Sequence, residues 1–221
     1  MSVIALILPF ALFQAEAAAT APPDRFQACL AHIERNAAGA YEEAMAWAAE
    51  AQSLNAYRCA AMALVAQDRH EDGARRLESL AVALNPAQAA LRADLLSQAG
   101  NAWLLARQPA QARSALTRAI ATVESTPEQL PDLLIDRARA YAMEQDWRLA
   151  EEDLSRSLDI RPDTALALRL RASARMHQSA FDLAEADALA AARLEPANVD
   201  NFLVLGHVRE SRRVGAPIEE Q

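Results

Sequence analysis

Residues 134–162 read LIDRARAYAMEQDWRLAEEDLSRSLDIRP, and residues 168–196, which start 34 positions later, read LRLRASARMHQSAFDLAEADALAAARLEP. Similar side chains occupy corresponding places in the two stretches. The corresponding pairs are Leu134 and Leu168, Ala138 and Ala172, Tyr141 and Arg175, Trp147 and Phe181, Ala150 and Ala184, Leu154 and Ala188, and Pro162 and Pro196. Self-similarity at a fixed period of this length predicts an array of stacked repeats, each of them one supersecondary unit.

Weaker copies of the same pattern lie on both sides of these two repeats. Three earlier units each contain an alanine that corresponds to Ala150 and Ala184, in what would be the second helix of a two-helix repeat. These alanines are Ala44, Ala74 and Ala112. Successive alanines of this series, up to Ala150, are 30, 38 and 38 residues apart, which predicts connections that are trimmed or carry insertions. Beyond Pro196 the phase continues into one more predicted first helix, marked by Phe202, Leu205 and Gly206.

The pattern resembles the tetratricopeptide repeat (TPR): a bulky residue, a small one four later, an aromatic, a second-helix alanine with an apolar residue four later, and a closing proline. Its most specific pieces are residues 147–150 (WRLA) and 181–184 (FDLA), and it covers roughly residues 24–213. The resemblance implies an all-α solenoid of about five helical hairpins plus a C-terminal capping helix. It also implies that the first helix of each hairpin lines a concave groove, which in TPR proteins usually holds an extended or helical peptide.

Composition and physical chemistry support the same fold without the family name. The chain is 52% hydrophobic, mostly alanine and leucine, and only 5% aromatic, a balance that favours helices over strands. Small residues at Ala138, Ala172 and Gly206 would let two helices approach closely. One hairpin cannot bury its apolar stripe alone, so stacked neighbours build a continuous core. We expect a repeat domain over 22–213, a disordered tail over 214–221, and the longest break, a candidate hinge, at 124–129.

Several functional classes are excluded by residue usage. All 22 basic residues are arginine, so lysine-dependent chemistry such as Schiff-base formation or Walker-type phosphate binding has no residue to perform it. The net charge of -8 disfavours nucleic acid as a partner. The sequence contains no Gly-x-Ser-x-Gly, no His-Glu-x-x-His and no glycine-rich phosphate loop. We therefore expect a non-catalytic protein without a cofactor or metal.

The first 21 residues have a different character from the rest of the chain. An apolar run at 3–13 is followed by small residues, which is typical of a secretory signal peptide, although Met1 and Ser2 supply no basic side chain. Cleavage is expected after Ala17, Ala19 or Ala21. The alternatives are an uncleaved anchor or a frayed tail. An exported protein would be periplasmic or secreted and, after cleavage, would not be inserted in the membrane.

Cys29 and Cys59 are the two cysteines of the chain. Each lies 15 residues before a second-helix alanine, so both occupy the same early position in successive first helices. An oxidising compartment favours a disulfide between them, whereas free buried thiols or a metal site are the alternatives. Helices packed side by side bring Cα atoms within the range that a disulfide bridges.

The repeat phase predicts which residues face the groove. They are Phe26, Ile33, Asp94, Ser97, Gln98, Asn101, Asp132, Ile135, Asp136, Arg139, Leu166, Arg169, Ser173, Met176, His177, Leu203 and His207. Among them, Arg139 and Arg169 are candidates to grip a carboxylate and Asn101 to bond a ligand backbone, which would suit an acidic peptide or a C-terminus. The alternative is an ion pair between Arg139 and Asp136 on the same helix.

Carboxylate-clamp TPR domains of chaperone cofactors bind with lysines, an arginine and two asparagines. Asn101 matches one asparagine of that pattern, whereas Asp136, Leu166 and Leu170 depart from it. Two functions remain for such a groove. The first is a non-catalytic scaffold of the bacterial cell envelope that binds a protein segment. The second is an accessory subunit of an envelope enzyme or of a secretion or assembly complex.

Other chemistry-bearing residues have structural interpretations. Trp47, Trp103 and Trp147 fall where their helices should be apolar and are expected to pack in the core. Arg137 and Arg171 are expected to lay their stems over apolar surface and send their guanidinium groups to water. His177 and His207 face one groove but lack further ligands in phase for a metal.

Overall fold

The computed structural model describes residues 24–123 and 128–218. Within those ranges the chain forms 11 α-helices and no strand, which confirms the predicted all-α class. The helices are α1 (Arg25–Arg35), α2 (Ala37–Ala51), α3 (Leu54–Val65), α4 (His70–Ala83), α5 (Ala89–Leu105), α6 (Pro109–Val123), α7 (Leu130–Met143), α8 (Trp147–Ile160), α9 (Ala165–His177), α10 (Phe181–Leu194) and α11 (Val199–Val214).

Helices α1 to α10 form five consecutive hairpins and α11 follows as a single helix, as the repeat pattern predicts. Along most of the array neighbouring first helices contact each other: α1 with α3, α5 with α7, α7 with α9, and α9 with α11. The second helices pack mainly against the first helices on either side of them. The array therefore curves with its first helices inside. We call the inner surface formed by α1, α3, α5, α7, α9 and α11 the groove.

Local signals in the sequence set the ends of several helices. The side chain of Asp24 accepts a hydrogen bond from the Phe26 amide and so caps the N-terminus of α1. Asp146 caps α8 in the same way through the Leu149 amide. Proline follows the ends of α4, α8 and α10, where it cannot extend the helix.

The turns inside four of the hairpins each contain a residue with positive φ, which the sequence does not indicate. Each contains a residue in the left-handed region, and none of these residues is glycine. They are Asp68 (φ 60°), Arg107 (φ 54°), Gln145 (φ 61°) and Ser179 (φ 62°). A left-handed residue reverses the chain direction in a few positions, which lets the second helix pack back on the first.

Small residues allow close packing where the pattern predicts it, with one exception. Ala138 and Ala172 are fully buried against the second helices of their hairpins. Gly206, at the same phase in α11, is exposed, and a Cβ added to it would meet no atom within 4 Å. The prediction of close packing at Gly206 was wrong, because no described helix covers that face of α11.

Arg137 and Arg171 also differ from expectation. Their guanidinium groups turn inward and bind the buried carboxylates of Asp153 and Asp187, each on the second helix of the same hairpin. The prediction that they point to water was wrong. The reason is that each second helix supplies an aspartate within reach, so that a paired charge replaces solvation.

Some predictions fall on residues that the structure does not describe. The signal peptide at 1–21 lies outside the described residues, as do residues 124–127 of the expected break and residues 219–221 of the expected tail. Val214, the first residue of that tail, is the last residue of α11, and the Ile218 amide donates a hydrogen bond to Ser211 Oγ. Among the described helices, none combines the length and apolar character needed to cross a membrane.

Candidate peptide-binding groove

Most of the residues predicted to face the groove lie on its surface, but three are buried in the core. Phe26, Ile135 and Met176 are 8%, 4% and 0% exposed. Met176 packs with Ala184 and Val208, between α9, α10 and α11. The phase of the repeat places a residue on a helix face to within about one position, and at these three places the neighbouring helix covers it. They are therefore core residues rather than ligand contacts.

A hydrogen-bonded network at the centre of the groove joins α5 to α7. Asn101 Nδ2 donates to Asp136 Oδ2 at 2.7 Å, and Arg139 Nη1 lies 3.3 Å from both Asp136 Oδ1 and Asn101 Oδ1. Burial raises the pKa of the Asp136 carboxyl above its ordinary value, while the hydrogen bonds from Asn101 and Arg139 act in the opposite direction. Asn101 and Arg139, two of the three predicted site residues, thus lie together. Both donate hydrogen bonds to the carboxylate of Asp136.

Arg169, the third predicted site residue, lies elsewhere in the groove. Its Nη1 pairs with Asp200 Oδ2 at 2.7 Å, from α9 to α11. It lines a separate depression of about 260 Å³ together with Leu203 and His207. Arg139 and Arg169 are therefore not gathered into one clamp in this conformation.

In the N-terminal half of the groove, too, an aspartate of the protein neutralises an arginine. Arg58 on α3 donates hydrogen bonds to Asp94 and Gln98 on α5, and its guanidinium lies over the Phe26 ring, 5.0 Å from the centroid. Arginine and aspartate on successive first helices thus satisfy each other across the array. The ion-pair alternative for Arg139 is what the structure shows.

An apolar cavity of about 490 Å³ opens at the N-terminal half of the groove. Three first helices, α1, α3 and α5, supply most of its walls, and Leu77 of the second helix α4 completes them. The lining residues are Leu30, Ile33, Glu34, Met62, Val65, Ala66, Leu77, Gln98, Asn101, Ala102 and Leu105. Leu105 is 55% exposed there, although it is a large apolar side chain. Asn101 lines the polar edge, so a ligand side chain in the cavity would lie next to the amide.

Sequence analysis identified Ile33, Gln98 and Asn101 in this cavity but missed its apolar walls. Leu105 lies one helical turn after Asn101, so the spacing of four residues places both on one face. That signal was available in the sequence. Met62 and Val65 gave no comparable signal, because apolar residues in a short helix are equally consistent with the core.

A second depression, of about 870 Å³, lies in the C-terminal half of the groove. The rings of Trp147 and His177 stack there, with centroids 3.9 Å apart and an angle of 7° between their planes. Trp147 is half-buried and lines this depression, whereas Trp47 and Trp103 are buried as predicted. The core assignment thus holds for two tryptophans, and Trp147 has one side in the groove. In the described part of the chain, no group of three His, Cys, Asp or Glu side chains is arranged to hold a metal ion.

Cys29 on α1 and Cys59 on α3 lie close together, with Cα atoms 6.3 Å apart and the two sulfurs joined. This separation is within the range of disulfides. Leu30 lies next to Cys29, so the cysteine pair ties the α1 wall of the apolar cavity to α3.

Comparison with solved structures defines the fold. The MamA RS-1 ArsTM double mutant superposes with a TM-score of 0.63 at 13% identity, covering 80% of this chain and 98% of that one. The first TPR of Spaghetti (RPAP3), bound to the HSP90 peptide SRMEEVD, gives 0.51 at 21% identity, covering 55% and 93%. The second TPR domain of human RPAP3, in complex with the HSP70 peptide SGPTIEEVD, gives 0.50 at 23%, covering 57% and 98%.

No model of a known protein family matches the sequence, and no curated protein matches it either. The likeness to solved structures establishes a TPR-like solenoid fold and confirms the fold that the repeat pattern predicts.

Proposed function

We propose that this protein is a non-catalytic scaffold that binds a peptide or a segment of another protein in its groove. The observation that carries the proposal is the apolar cavity formed mainly by α1, α3 and α5, with the exposed side chain of Leu105 at its rim. Exposed apolar surface of this kind, rimmed by polar side chains, marks a binding site. Two of the similar TPR structures hold peptides, which supports a peptide as the ligand.

The chemistry of the groove favours a ligand with an apolar anchor. Arg58, Arg139 and Arg169 each pair with an aspartate of the protein. A ligand carboxylate would have to displace those aspartates, whereas an apolar side chain enters the cavity without breaking an ion pair. The amides of Gln98 and Asn101 at the cavity edge can bond the backbone of an extended segment.

Leu105 allows a matched test, because Leu183 on α10 has the same exposure, 55%, and does not line the cavity. Twelve-residue peptides displayed on phage are selected on the wild-type protein, and the selected peptides are measured against Leu105→Asp and Leu183→Asp. We expect bulky apolar residues among the selected peptides, and a loss of at least about tenfold in affinity with Leu105→Asp alone. Equal effects of the two variants would refute the cavity as the site.

An acidic ligand is the second candidate, and Arg139 and Arg169 are the residues that would bind its carboxylates. The peptide SRMEEVD is a suitable probe, since a similar TPR domain is bound to it. If a ligand carboxylate displaces Asp136 or Asp200, replacing both arginines by alanine should weaken binding at least about tenfold and reduce its salt dependence. Unchanged affinity with an intact fold would place the site in another part of the groove.

We also propose export to the periplasm of a bacterial envelope, or secretion, on the strength of the apolar run at 3–13 and the alanines after it. Intact-mass analysis of an envelope fraction tests this, and we expect a chain that begins after Ala17, Ala19 or Ala21. A cytoplasmic full-length chain would rule out export, and a membrane pellet that retains residues 1–13 would indicate an anchor.

In the envelope, the protein would act either as an independent scaffold or as an accessory subunit of an enzyme or of a secretion or assembly complex. Affinity purification from an envelope extract, with Leu105→Asp as the control, distinguishes the two. A stable stoichiometric complex that survives Leu105→Asp indicates a subunit. A partner that is lost with Leu105→Asp indicates a groove ligand.

A further inference from the structure

The chain reverses its direction where α11 ends. Gly215 has φ 75°, in the left-handed region that ends many helices. The amides of Gly215 and Ala216 donate hydrogen bonds to the carbonyl oxygen of Ser211, at 2.9 and 3.1 Å. The Ile218 amide donates to Ser211 Oγ at 3.1 Å. Because Ser211 is fully buried, these three bonds hold residues 215–218 against the body of the protein.

The reversal brings the chain to the groove. Pro217 lines the depression of about 870 Å³ in the C-terminal half of the groove, together with Met143, Trp147 and His177. These three residues lie at the end of α7, the start of α8 and the end of α9. The segment that follows α11 therefore already forms part of the wall of this depression.

The depression differs in charge from the rest of the groove. Arg107 and His177 line it, and among its described lining residues none is aspartate or glutamate. Arg58, Arg139 and Arg169 each pair with an aspartate. In the described part of the chain, by contrast, no carboxylate pairs with Arg107. In a protein with a net charge of -8, this is a place where a carboxylate is missing.

We propose that residues 217–221 (PIEEQ) dock in this depression of their own molecule, with Glu219 or Glu220 paired to Arg107. The order of side chains suits the site, since an apolar pair at the anchored end is followed by two carboxylates. Ile218 is already half-buried. Two residues of extended chain beyond it span about 7 Å, and the long side chain of Arg107 shortens the remaining distance.

The docked segment would act as an internal competitor for the C-terminal half of the groove. A short tether gives it an effective concentration in the millimolar range, which an acidic ligand from outside would have to exceed. The apolar cavity shares no lining residue with this depression, so it stays open. The inference therefore does not rest on the peptide proposed for that cavity.

Phenylglyoxal, which attaches to guanidinium groups, tests the contact in the intact protein. Peptide mapping at low extents of reaction gives the rate at each arginine. Arg35 and Arg193 are suitable references, because both are exposed and neither has an ion pair in the described part of the chain. We expect Arg107 to react at least about threefold more slowly than these two.

Neutralising the segment should remove that protection. Glu219→Gln combined with Glu220→Gln should raise the rate at Arg107 to that of the references. Glu42→Gln combined with Glu50→Gln is the matched control, since it removes the same charge from exposed positions of α2. In the control, Arg107 should stay slow.

A glutamate-specific protease gives the reciprocal measurement on the segment itself. Cleavage after Glu219 or Glu220 requires the undocked state, so its rate follows the population of that state. Arg107→Gln should speed this cleavage at least about threefold, as read by intact mass, whereas Arg35→Gln should leave it unchanged.

Three outcomes would overturn the proposal: an Arg107 rate equal to the references in wild type, protection that survives the loss of both glutamates, or equal cleavage of wild type and Arg107→Gln. Protection that grows with protein concentration, together with a dimer in sedimentation, would show that the segment docks in a second copy. That result would also overturn docking within one molecule.

Discussion

The guanidinium of Arg137 on α7 donates two hydrogen bonds to the carboxylate of Asp153 on α8, and both join atoms 2.7 Å apart. The two side chains are 13% and 5% exposed. One hairpin later, Arg171 and Asp187 repeat the arrangement at 2.8 and 2.9 Å. Hydrogen bonding to Asp153 raises the pKa of Arg137 above its ordinary value. Each of these hairpins is therefore joined internally by a buried charge pair as well as by apolar packing, and in the second hairpin Arg175 also binds Asp187.

Breaking the Arg137 pair from one side should be costly. In Asp153→Ala the guanidinium of Arg137 remains largely buried without its carboxylate, so we expect the free energy of unfolding to fall by about 3 to 5 kcal/mol. Urea denaturation followed by circular dichroism measures the change.

Two further variants identify the cause of that loss. Replacing both partners, as Arg137→Met with Asp153→Leu, should recover most of the stability, because no unpaired charge is left. Glu152→Ala breaks an exposed pair with Arg148 on the same helix and should cost less than about 1 kcal/mol. Equal losses for Asp153→Ala and Glu152→Ala would contradict the assignment.

Asp136 should make stability depend on pH in the direction opposite to most carboxylates. Burial raises its pKa above the unfolded value of 3.8, with the hydrogen bonds from Asn101 and Arg139 acting against that rise. The folded state therefore binds this proton more tightly than the unfolded state. It follows that the Asp136 contribution to the free energy of unfolding falls as pH rises from 3.8 through the raised pKa.

Asp136→Asn removes this titration and keeps an acceptor for Asn101. The variant should gain stability relative to wild type as pH rises through that window, and the advantage should shrink again at lower pH. Urea titrations at a series of pH values measure the difference. A constant difference between the two proteins at all pH values would show that Asp136 does not titrate as described.

The residues with positive φ in the hairpin turns are positions where replacement by glycine should stabilise the folded protein. Gln145 has φ 61°, a conformation that costs an L-residue about 1 to 2 kcal/mol and glycine almost nothing. Gln145→Gly should therefore raise the free energy of unfolding by up to about 1 kcal/mol, after the greater chain entropy of glycine is subtracted. Glu152→Gly, inside α8, is the control and should lower it by about 1 kcal/mol. Two losses of similar size would contradict the interpretation.

The pairing of Cys29 and Cys59 predicts a disulfide that links α1 to α3, the first helices of the first two hairpins. Non-reducing peptide mapping of protein purified from an oxidising compartment should find one linked pair of peptides that contains both residues. Two free thiols that alkylate without reductant would refute the disulfide. By the loop-entropy model, closing a loop of about 30 residues stabilises the fold by roughly 3 to 4 kcal/mol.

Reduction should loosen α1 before the rest of the array. This helix is the first of the described array, and Phe26 is its one buried side chain. Hydrogen exchange with and without reductant measures the effect, and we expect the amides of α1 to lose protection while those of α7 to α10 keep theirs. Since Leu30 and Ile33 belong to α1, binding in the apolar cavity should weaken in parallel.

The sequence by itself determined the repeat architecture. A period of 34 residues, alanines at fixed places and a closing proline specify a helical hairpin, because these features act through local geometry and nearest-neighbour packing. Asp24 could be identified as an N-cap for the same reason, since a cap needs only the next two or three residues.

Relationships between hairpins could not be inferred from the pattern. Arg139 and Arg169 look like ligands for a carboxylate when each is considered alone. The same-helix partner of Arg139, Asp136, could be read from the sequence. Whether Asp200 on the next first helix neutralises Arg169 depends on the rotation and separation of two helices, which the repeat phase does not specify. The inward turn of Arg137 was missed for a related reason, because its partner Asp153 lies on the other helix of the same hairpin and the repeat pattern does not show that the two side chains meet.

The tertiary structure alone decided which apolar residues are core and which line the apolar cavity. Met176 and Leu105 are both large and apolar and both lie in first helices. Met176 is buried because α10 and α11 close over it, whereas Leu105 is exposed because none of the described helices covers it. Phe202 and Gly206 are exposed for the same reason. Burial is a property of what lies opposite a side chain, and the sequence of one helix does not contain that information.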